Sequence, residues 1–548
     1  MVSPTAESHD AIIIGAGFAG LYAIHALRDK ESKNVIAFDA ADDVGGTWYW
    51  NRYPGARVDI ESVHYSYSFD DALQQEWHWT ERFPAQPEIL RYLEHVADRF
   101  DLRRSIRFGT RIVALTWDDD SAHWTATTDT GELHTARYVV SGAGTLSVPK
   151  EPEFGGIENF AGETYATGNW PQHEVGFEGK RVGIVGVGSS GIQAISEIAK
   201  TAGHLTVLQR TPNYATPIGN YPTDPAEEAA EKADYRALRD ASRNHFLGVP
   251  YSEVQPSALA ATPEERREVF DDRWNRGGFR LFIDSFGDIL FDHEANDTVA
   301  QYIRDRIRER VQDPATAELL APRDHPYGTK RPPLETDYYE AYNRPNVELV
   351  DVRSNPIDAV TRTGVRLADG TEHRFDVLVL ATGFDACTGP LLAMNITGRN
   401  GLRLADHWAD GPQTYLGLMS AGFPNLFMIT GPQSPSVLYN MPLAIEDHVD
   451  FSVEAIRYVE STGSSVIEPT PDAERDWVAH TNELAQATLL PDSPTSWYMG
   501  NNVPGKPKRV LVYLGGAPGY RARCDEVVAA GYEGFAISSS SDRALAQA

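Results

Sequence analysis

A glycine-rich pattern occurs twice in this chain, and each copy is compatible with little besides a strand, a tight turn and a helix. The first copy, "DAIIIGAGFAGLYAIHALRD", has an apolar run followed by Gly15, Gly17 and Gly20 and then apolar residues at helical spacing. The second copy, "RVGIVGVGSSGIQAISEIAK", repeats the order with Gly186, Gly188 and Gly191. We therefore predict an α/β fold with two Rossmann-like dinucleotide-binding units.

Each glycine turn is a predicted phosphate site. A helix N-terminus offers backbone N–H groups and a favourable dipole to an anion, and a side chain at the glycines would block the approach. A single match is weak evidence, since a tight turn in any α/β protein can produce it. Two matches, each between a strand and a helix, favour two cofactor sites, and the second is predicted to include Ser189, Ser190 and Gln193.

The residues beyond each turn distinguish the two cofactors. Asp39 ends the next predicted strand, "VIAFD", where a carboxylate accepts hydrogen bonds from a ribose without a 2′-phosphate, as in FAD. The second unit has no acid at this place and instead ends its strand "LTVLQRTPNY" with Arg210 and Thr211. These two residues favour NADPH, although Arg210 by itself could be an ordinary surface arginine.

The strand signals disappear in the middle of the chain and then return. Between Pro222 and Pro322 the sequence is charged and helix-forming, and Thr262, Pro263 and Glu265 form a capping-box pattern. Buried-strand runs reappear at 375–384 and 423–432. We predict that the second unit is inserted in the first: FAD domain 1–145 and 381–548, NADP domain 146–217 and 328–380, and a helical insertion at 218–327.

Composition excludes several classes of function. The 548 residues carry 49 basic and 78 acidic side chains, a formal charge of −29 that opposes binding to nucleic acid or to an anionic membrane surface. The two cysteines, Cys387 and Cys524, are too far apart in sequence for a redox or zinc motif, and they suit a reducing cytoplasm. The N-terminus has no targeting pattern, and the tail from Ile537 is expected to fray.

Two further segments resemble those of a known family. "GGTWYWNRYPGARVD", from Gly45 to Asp59, resembles the early motif of the type I Baeyer–Villiger monooxygenases, most closely the phenylacetone, cyclopentanone and steroid monooxygenase branch. "FAGETYATGNWP" resembles the family fingerprint at Phe160, Gly162, Trp170 and Pro171, but Ala166 stands where the fingerprint has histidine. Because this segment links the nucleotide domains in the family, we expect weaker coupling of their movements rather than loss of the active site.

The resemblance implies a reaction and a set of site residues. FAD and NADPH would convert a cyclic, aromatic or bulky ketone and O₂ into an ester or lactone through a C4a-peroxyflavin. Arg331 would stabilise the negative charge that develops, Asp59 would hold Arg331 in place, and Lys330 would join Arg210 and Thr211 at the NADP phosphate. The remaining implied contacts are Gly46, Thr47, Trp48, Tyr65 and Met441 for cofactor, Ser436, Val437 and Leu438 for substrate, and Trp497 as a mobile cover over NADP.

Several alternatives stay open at this point. A flavin-containing monooxygenase acting on sulfur or nitrogen shares both glycine turns, although Trp170-Pro171 argues against it. A nucleotide-binding protein with impaired oxygenation would explain Ala166. Arg331 could form an ordinary surface ion pair, and Val437, Leu438 and Met441 could pack in a core. None of the 16 histidines shows a metal-ligand spacing, so no metal is expected.

Overall fold

The first sheet is built around the first glycine turn. The computed structural model describes residues 7–251 and 253–539. Seven strands of this sheet lie in the order Ile396–Thr397, Ile112–Asp118, His123–Thr128, Leu133–Ser141, Glu7–Ile14, Val35–Phe38 and Ile106–Arg107, and Leu426–Met428 also pairs with Leu133–Ser141. His123–Thr128 runs antiparallel to both neighbours, and the other pairings are parallel. Buried parallel strands explain the continuous apolar run at 11–14.

The second sheet is fully parallel and comes entirely from the segment between the two halves of the first. Its strands lie in the order Val347–Asp351, His204–Gln209, Arg181–Val185, Val377–Leu380 and Glu163–Ala166. A small antiparallel sheet follows, with strands Ile357–Val360, Gly364–Leu367 and Glu372–Arg374. The predicted α/β fold with one dinucleotide unit inserted in the other is therefore confirmed, while the domain boundaries given above stay predictions.

Helices surround both sheets, and one group forms the predicted insertion. Those of the first unit are Phe18–Ile24, Thr47–Trp50, Asp71–Glu76, Gln86–Arg99, Gly389–Leu392, Leu404–His407, Met441–Ser461, Pro471–Gln486 and Gly516–Ala529, and those of the second are Ser189–Thr201 and Tyr338–Ala341. The insertion contains Pro225–Ala233, Tyr235–Arg243, Pro263–Arg276, Arg280–Ile283, His293–Arg310 and Pro314–Leu320. The short strands Thr216–Pro217 and Leu334–Glu335, which flank the insertion in sequence, pair with each other in parallel.

The insertion has the predicted helix start, and one of its helices buries an apolar face. Thr262 accepts a hydrogen bond from the Glu265 N–H at 3.2 Å, and the Glu265 carboxylate accepts one from the Thr262 N–H at 2.8 Å, which completes the capping box. Val299, Ile303 and Ile307 are fully buried along one face of His293–Arg310. This apolar face joins the insertion to the largest core of the molecule.

One expectation about the C-terminal region is wrong in part. Phe535–Ser538 pairs with Val466–Pro469 as a regular two-stranded sheet, because Ile467 and its neighbours bury the apolar side chains there. The rest of the tail, from residue 540, and the N-terminal segment 1–6 lie outside the described residues. Within the described ranges, no helix is both long enough and apolar enough to cross a bilayer.

Candidate active site

A cavity of about 1060 Å³ separates the two glycine turns and contains most of the predicted site residues. Its wall includes Gly15, Gly17, Asp39, Gly46, Thr47, Trp48, Asp59 and Tyr65 from the first unit, Gly186, Gly188, Ser189, Ser190, Gln193, Arg210 and Thr211 from the second, and Lys330, Arg331, Val437, Leu438, Met441 and Trp497 from later loops. Both glycine turns and Arg331 therefore line one space.

The first glycine turn is shaped by close backbone contacts. Gly15 has φ +97, and a Cβ there would lie 2.5 Å from the Gly142 carbonyl oxygen. A Cβ on Gly46 would come 2.9 Å from the Cα of Gly17, so these two glycines face each other across the turn. Gly20 does not line the cavity, since its Cα packs against the Gly15 carbonyl and joins helix to strand.

Asp39 is held by the backbone of the turn that it faces. Its carboxylate accepts hydrogen bonds from the Ala16 N–H at 2.6 Å and from the Ala41 N–H at 2.8 Å. Burial raises the pKa of this carboxyl above its ordinary value, and the two N–H donors offset part of that rise. The carboxylate therefore fixes the glycine turn while its oxygens still border the cavity.

The second glycine turn is more open than the first. Gly186 has φ +106 and approaches the Ala381 carbonyl, and Gly191 packs on the Gly186 carbonyl without lining the cavity. A Cβ on Gly188 would meet no protein atom within 4 Å. Gly188 caps the 13-residue helix Ser189–Thr201, so free space lies directly at a helix N-terminus, as a diphosphate requires.

Basic side chains gather beyond this second turn. Arg210 has a 57% exposed side chain and donates to the Glu153 carboxylate at 3.1 Å. Burial lowers the pKa of Lys330, the charges of Arg210 and Arg353 lower it further, and Asp324 opposes the effect. A bound phosphate would relieve the repulsion among these cations.

Arg331 and Asp59 form a bidentate ion pair in the wall of the cavity. The distances are 2.7 Å from Arg331 Nε to Asp59 Oδ2 and 2.9 Å from Nη2 to Oδ1, while Nη1 donates to the Val437 carbonyl at 2.8 Å. The Arg331 side chain is 19% exposed. Burial acts to lower the pKa of Arg331, but the Asp59 carboxylate reverses this, and the pKa stays above its ordinary value. The guanidinium is therefore a fixed cation.

The remaining loops close around this pair. Met441 lines the cavity at the start of helix Met441–Ser461, and Leu438 lines it from the 3₁₀ turn Ser436–Leu438 just before. Ser436 is fully buried in that turn and does not line the cavity, contrary to its predicted role at the substrate. Trp497 borders the cavity in the 3₁₀ turn Trp497–Met499. Ser496 Oγ donates to the Thr329 carbonyl at 2.7 Å, which ties the Trp497 turn to the Lys330-Arg331 segment.

The fingerprint segment lies on the edge of the second sheet and touches the first unit. Ala166 ends the edge strand, opposite Leu380, and its carbonyl accepts from the Asn169 N–H at 3.1 Å. Trp170 is buried, and its N–H donates to the Trp50 carbonyl at 3.0 Å. Phe160, Gly162 and Pro171 do not line the cavity, but Gly168 and Asn169 of the same segment do, so the segment connects the units and also reaches the cavity wall.

Sequence reasoning missed several partners in the site. The ring of Phe279 lies 4.6 Å from the Arg331 guanidinium carbon, and Glu153 neutralises Arg210 from a loop far away in sequence. Gln193 was predicted as a cofactor residue only, but it also donates to the Arg57 carbonyl at 3.1 Å. The glycine in the "YPGAR" motif hinted at a close approach here, and the structure explains it, because a Cβ on Gly55 would lie 2.6 Å from the backbone carbonyl oxygen of Gln193.

The residues present fit both predicted cofactors. Side chains at Gly17 and Gly46 would fill the space between the turns, and Asp39 offers carboxylate oxygens at the end of the adjacent strand. The second turn combines an open helix N-terminus with the cations Arg210 and Lys330, which suits a dinucleotide with a 2′-phosphate. Two such sites facing one buried arginine define a flavin-dependent, NADPH-using oxidoreductase.

Comparisons with known proteins agree with this class. A family model described as flavin-binding monooxygenase-like matches residues 8–217. A Baeyer–Villiger monooxygenase of Pseudooceanicola batsensis is 44% identical over 95% of both chains. A phenazine N-monooxygenase of Lysobacter antibioticus is 44% identical over 98% of this chain and 99% of its own. A solved oxidized steroid monooxygenase bound to NADP is 49% identical, with a TM-score of 0.92 over 97% of this chain and 100% of the other.

The chain belongs to the Baeyer–Villiger monooxygenases, which depend on FAD and NADPH. The resemblance seen at Gly45–Asp59 is thereby confirmed over nearly the whole chain.

Proposed function

We propose that this protein oxygenates a cyclic, aromatic or bulky ketone to an ester or lactone in the space beside Arg331. The observation that carries the proposal is the bidentate Arg331–Asp59 pair, which holds a cation inside a cavity bordered by both cofactor turns. FAD and NADPH, when bound, supply the redox chemistry and the activation of O₂.

The protein's own groups position and stabilise the reacting ketone. Oxygen insertion places negative charge on the carbonyl oxygen, and a fixed guanidinium in a water-poor site stabilises that charge. Three of the five N–H donors of Arg331 are bound to Asp59 and Val437, and the Tyr498 phenol also lies against the guanidinium, so at most two donors face a substrate oxygen. Phe279 covers the guanidinium on one side and excludes water there.

Other residues receive the roles implied by their place in the cavity. Lys330, Arg210 and Thr211 hold the 2′-phosphate of NADPH, and Asp39 holds the ribose of FAD. Val437, Leu438 and Met441 form the apolar side of the substrate space, and Trp497 covers the nicotinamide nucleotide. We also place the enzyme in a reducing cytoplasm, since Cys387 and Cys524 are both free thiols.

Nitrogen oxygenation is a second candidate function. The phenazine N-monooxygenase matches this chain at 44% identity over nearly its full length, so this scaffold supports oxygen transfer to an aromatic nitrogen in a relative. That reaction leaves no tetrahedral oxyanion, so it depends less on Arg331 than ketone oxygenation does.

A substrate panel separates the two candidates. Purified protein with FAD is incubated with NADPH and ketones of increasing bulk, and with a phenazine, and products are identified by mass. The proposal predicts esters or lactones together with ketone-dependent NADPH oxidation above background. Arg331→Ala should abolish the ester while retaining FAD, and Arg366→Ala, which breaks an exposed arginine pair with Asp358, is the control. N-oxide as the sole product would overturn the proposal.

A further inference from the structure

Three potential metal ligands meet at the start of the first strand. Glu7 and His9 are two residues apart in the strand Glu7–Ile14, so their side chains point to the same face. His134 lies opposite Glu7 in the parallel pairing with the strand Leu133–Ser141. The ligand atoms of the three side chains all lie within 4.8 Å of one another. His9 Nε2 is 3.9 Å from Glu7 Oε1, and His134 Nδ1 is 3.6 Å from Glu7 Oε2.

The two histidines are buried and poorly satisfied by hydrogen bonds. His9 is 8% exposed and His134 is 2% exposed. Neither ring nitrogen of His134 has a regular hydrogen bond among the residues that the structure describes, and His9 has only the side chain of Asn34 beside its ring. A buried polar group without a good partner costs about 1–3 kcal/mol, and the two nitrogens of His134 instead face carboxylates at 3.6 and 3.7 Å, an arrangement that a bound cation would satisfy.

We propose that Glu7, His9 and His134 bind one Zn²⁺ ion. Two imidazoles and one carboxylate form a ligand set that zinc takes readily, with water in the fourth position. Two imidazole rings on one tetrahedral zinc have centroids about 5 Å apart, and the His9 and His134 centroids are 5.8 Å apart. The Glu7 side chain is 52% exposed, so it can move by the small distance needed and gives the ion a route in.

The surrounding charges are compatible with this ion. Arg107 donates to Glu7 Oε2 at 2.7 Å and to Glu132 Oε2 at 3.0 Å, which leaves Glu7 Oε1 on the side of His9. His134 Nε2 lies 3.7 Å from Glu132 Oε2, where an outer carboxylate orients a metal-bound imidazole. The Arg107 charge opposes the ion, so we expect a site weaker than a four-ligand structural zinc site.

The zinc would border the first cofactor site. The ring of Phe38 lies 4.8 Å from the ring of His134, and Phe38 lines the cavity directly before Asp39. Spacing along the chain could not reveal this cluster, because His9 and His134 come together only through the pairing of two distant strands.

Metal content tests the proposal without reference to activity. Untagged, FAD-loaded protein is incubated with ZnCl₂, passed through gel filtration and analysed for metal, and Co²⁺ is titrated while visible absorption is followed. We expect about one zinc per chain and the absorption bands of four-coordinate Co²⁺. His9→Gln and His134→Gln should reduce bound zinc more than tenfold, and His173→Gln, which changes an exposed histidine, should not.

A milder variant keeps the test decisive if the histidine variants fail to fold. Glu7→Gln alters an exposed side chain, and it should weaken zinc binding about 10-fold or more while FAD absorption is retained. Absence of bound zinc in the unaltered chain, or equal zinc in all variants and the control, would overturn the proposal.

Discussion

The phenol of Tyr53 donates a hydrogen bond of 2.9 Å to the side-chain carbonyl of Gln193. Tyr53 belongs to the aromatic-Pro-Gly motif of the FAD unit, and Gln193 lies in the first turns of the helix that begins the NADP unit. The Gln193 side-chain NH₂ also donates to the Arg57 carbonyl. Both the oxygen and the nitrogen of this amide are therefore hydrogen-bonded to residues of the FAD unit. One side chain therefore fixes the first helix of the NADP unit against the loop that ends in Asp59.

Removal of this phenol should loosen the joint. Tyr53→Phe leaves the Gln193 carbonyl without its buried partner at a cost of about 1 kcal/mol, so we expect NADPH to bind about fivefold more weakly. Titration of NADP⁺ followed by flavin absorption measures the effect. Tyr165→Phe removes a phenol that bonds the exposed Glu163, and it should leave the affinity unchanged.

The Asp59 carboxylate should matter through geometry as well as charge. Asp59→Asn keeps an oxygen for Arg331 but loses the bidentate pair, so we expect ketone turnover to fall about 100-fold with FAD content unchanged. Steady-state kinetics with the best ketone measures the fall. Asp358→Asn breaks the exposed pair with Arg366 and serves as control. A variant with normal turnover would show that Arg331 needs no partner.

Lys330 should select NADPH over NADH. Lys330→Met removes a cation beside Arg210, and we expect the preference for NADPH, measured as the ratio of kcat/KM values, to fall about 10-fold or more. Because burial lowers the pKa of Lys330, its charge is lost at a lower pH than that of an ordinary lysine. NADPH affinity should therefore weaken on the alkaline side in the unaltered enzyme, and Lys330→Met should lack this step. Lys200→Met, at an exposed helix position, is the control.

Buried histidines should make the fold sensitive to acid. Burial lowers the pKa of His64 to about 4 and that of His448 to about 3, from an ordinary 6.5. For each histidine, between its folded-state pKa and 6.5, the unfolded chain binds a proton that the folded chain does not. The free energy of unfolding therefore falls as pH drops below about 6.5, by up to about 1.4 kcal/mol per pH unit for each histidine.

His448→Gln tests this sensitivity. The difference in Tm between pH 7 and pH 5 should be smaller in this variant than in the unaltered chain, because one titrating group is gone. His204→Gln, at a surface histidine with a 44% exposed side chain, should keep the full difference. An equal difference in all three proteins would contradict the assignment.

Ala166 should weaken coupling between NADPH oxidation and product formation. Its side chain packs among apolar residues on the edge of the second sheet and cannot form a hydrogen bond. We expect Ala166→His to lower the hydrogen peroxide released per NADPH about twofold, since a bond within the connecting segment restricts its movement. Ala161→His, at an exposed neighbour, is the control. Unchanged peroxide release would show that position 166 does not govern coupling.

Sequence patterns predicted the features of this molecule that depend only on neighbouring residues, such as tight turns and helix caps. The glycines at Gly15 and Gly186 adopt the positive φ values that a tight turn demands, and Thr262 forms the capping box that its spacing indicates. Ser436 was misplaced because whether a loop side chain points toward a cavity depends on distant packing. Sequence reasoning also missed the contact of Phe279 with Arg331, the pairing of Glu153 with Arg210 and the cluster of His9 with His134, since each joins segments that are distant in sequence and meet only in the folded chain.

The bond from Arg331 to the Val437 carbonyl has a consequence for engineering. The backbone that shapes the apolar wall of the substrate space also anchors the cation that stabilises the reaction. Redesign of that loop to admit a larger ketone will therefore displace the guanidinium as well, and selectivity and rate will change together unless the carbonyl at position 437 stays where it is.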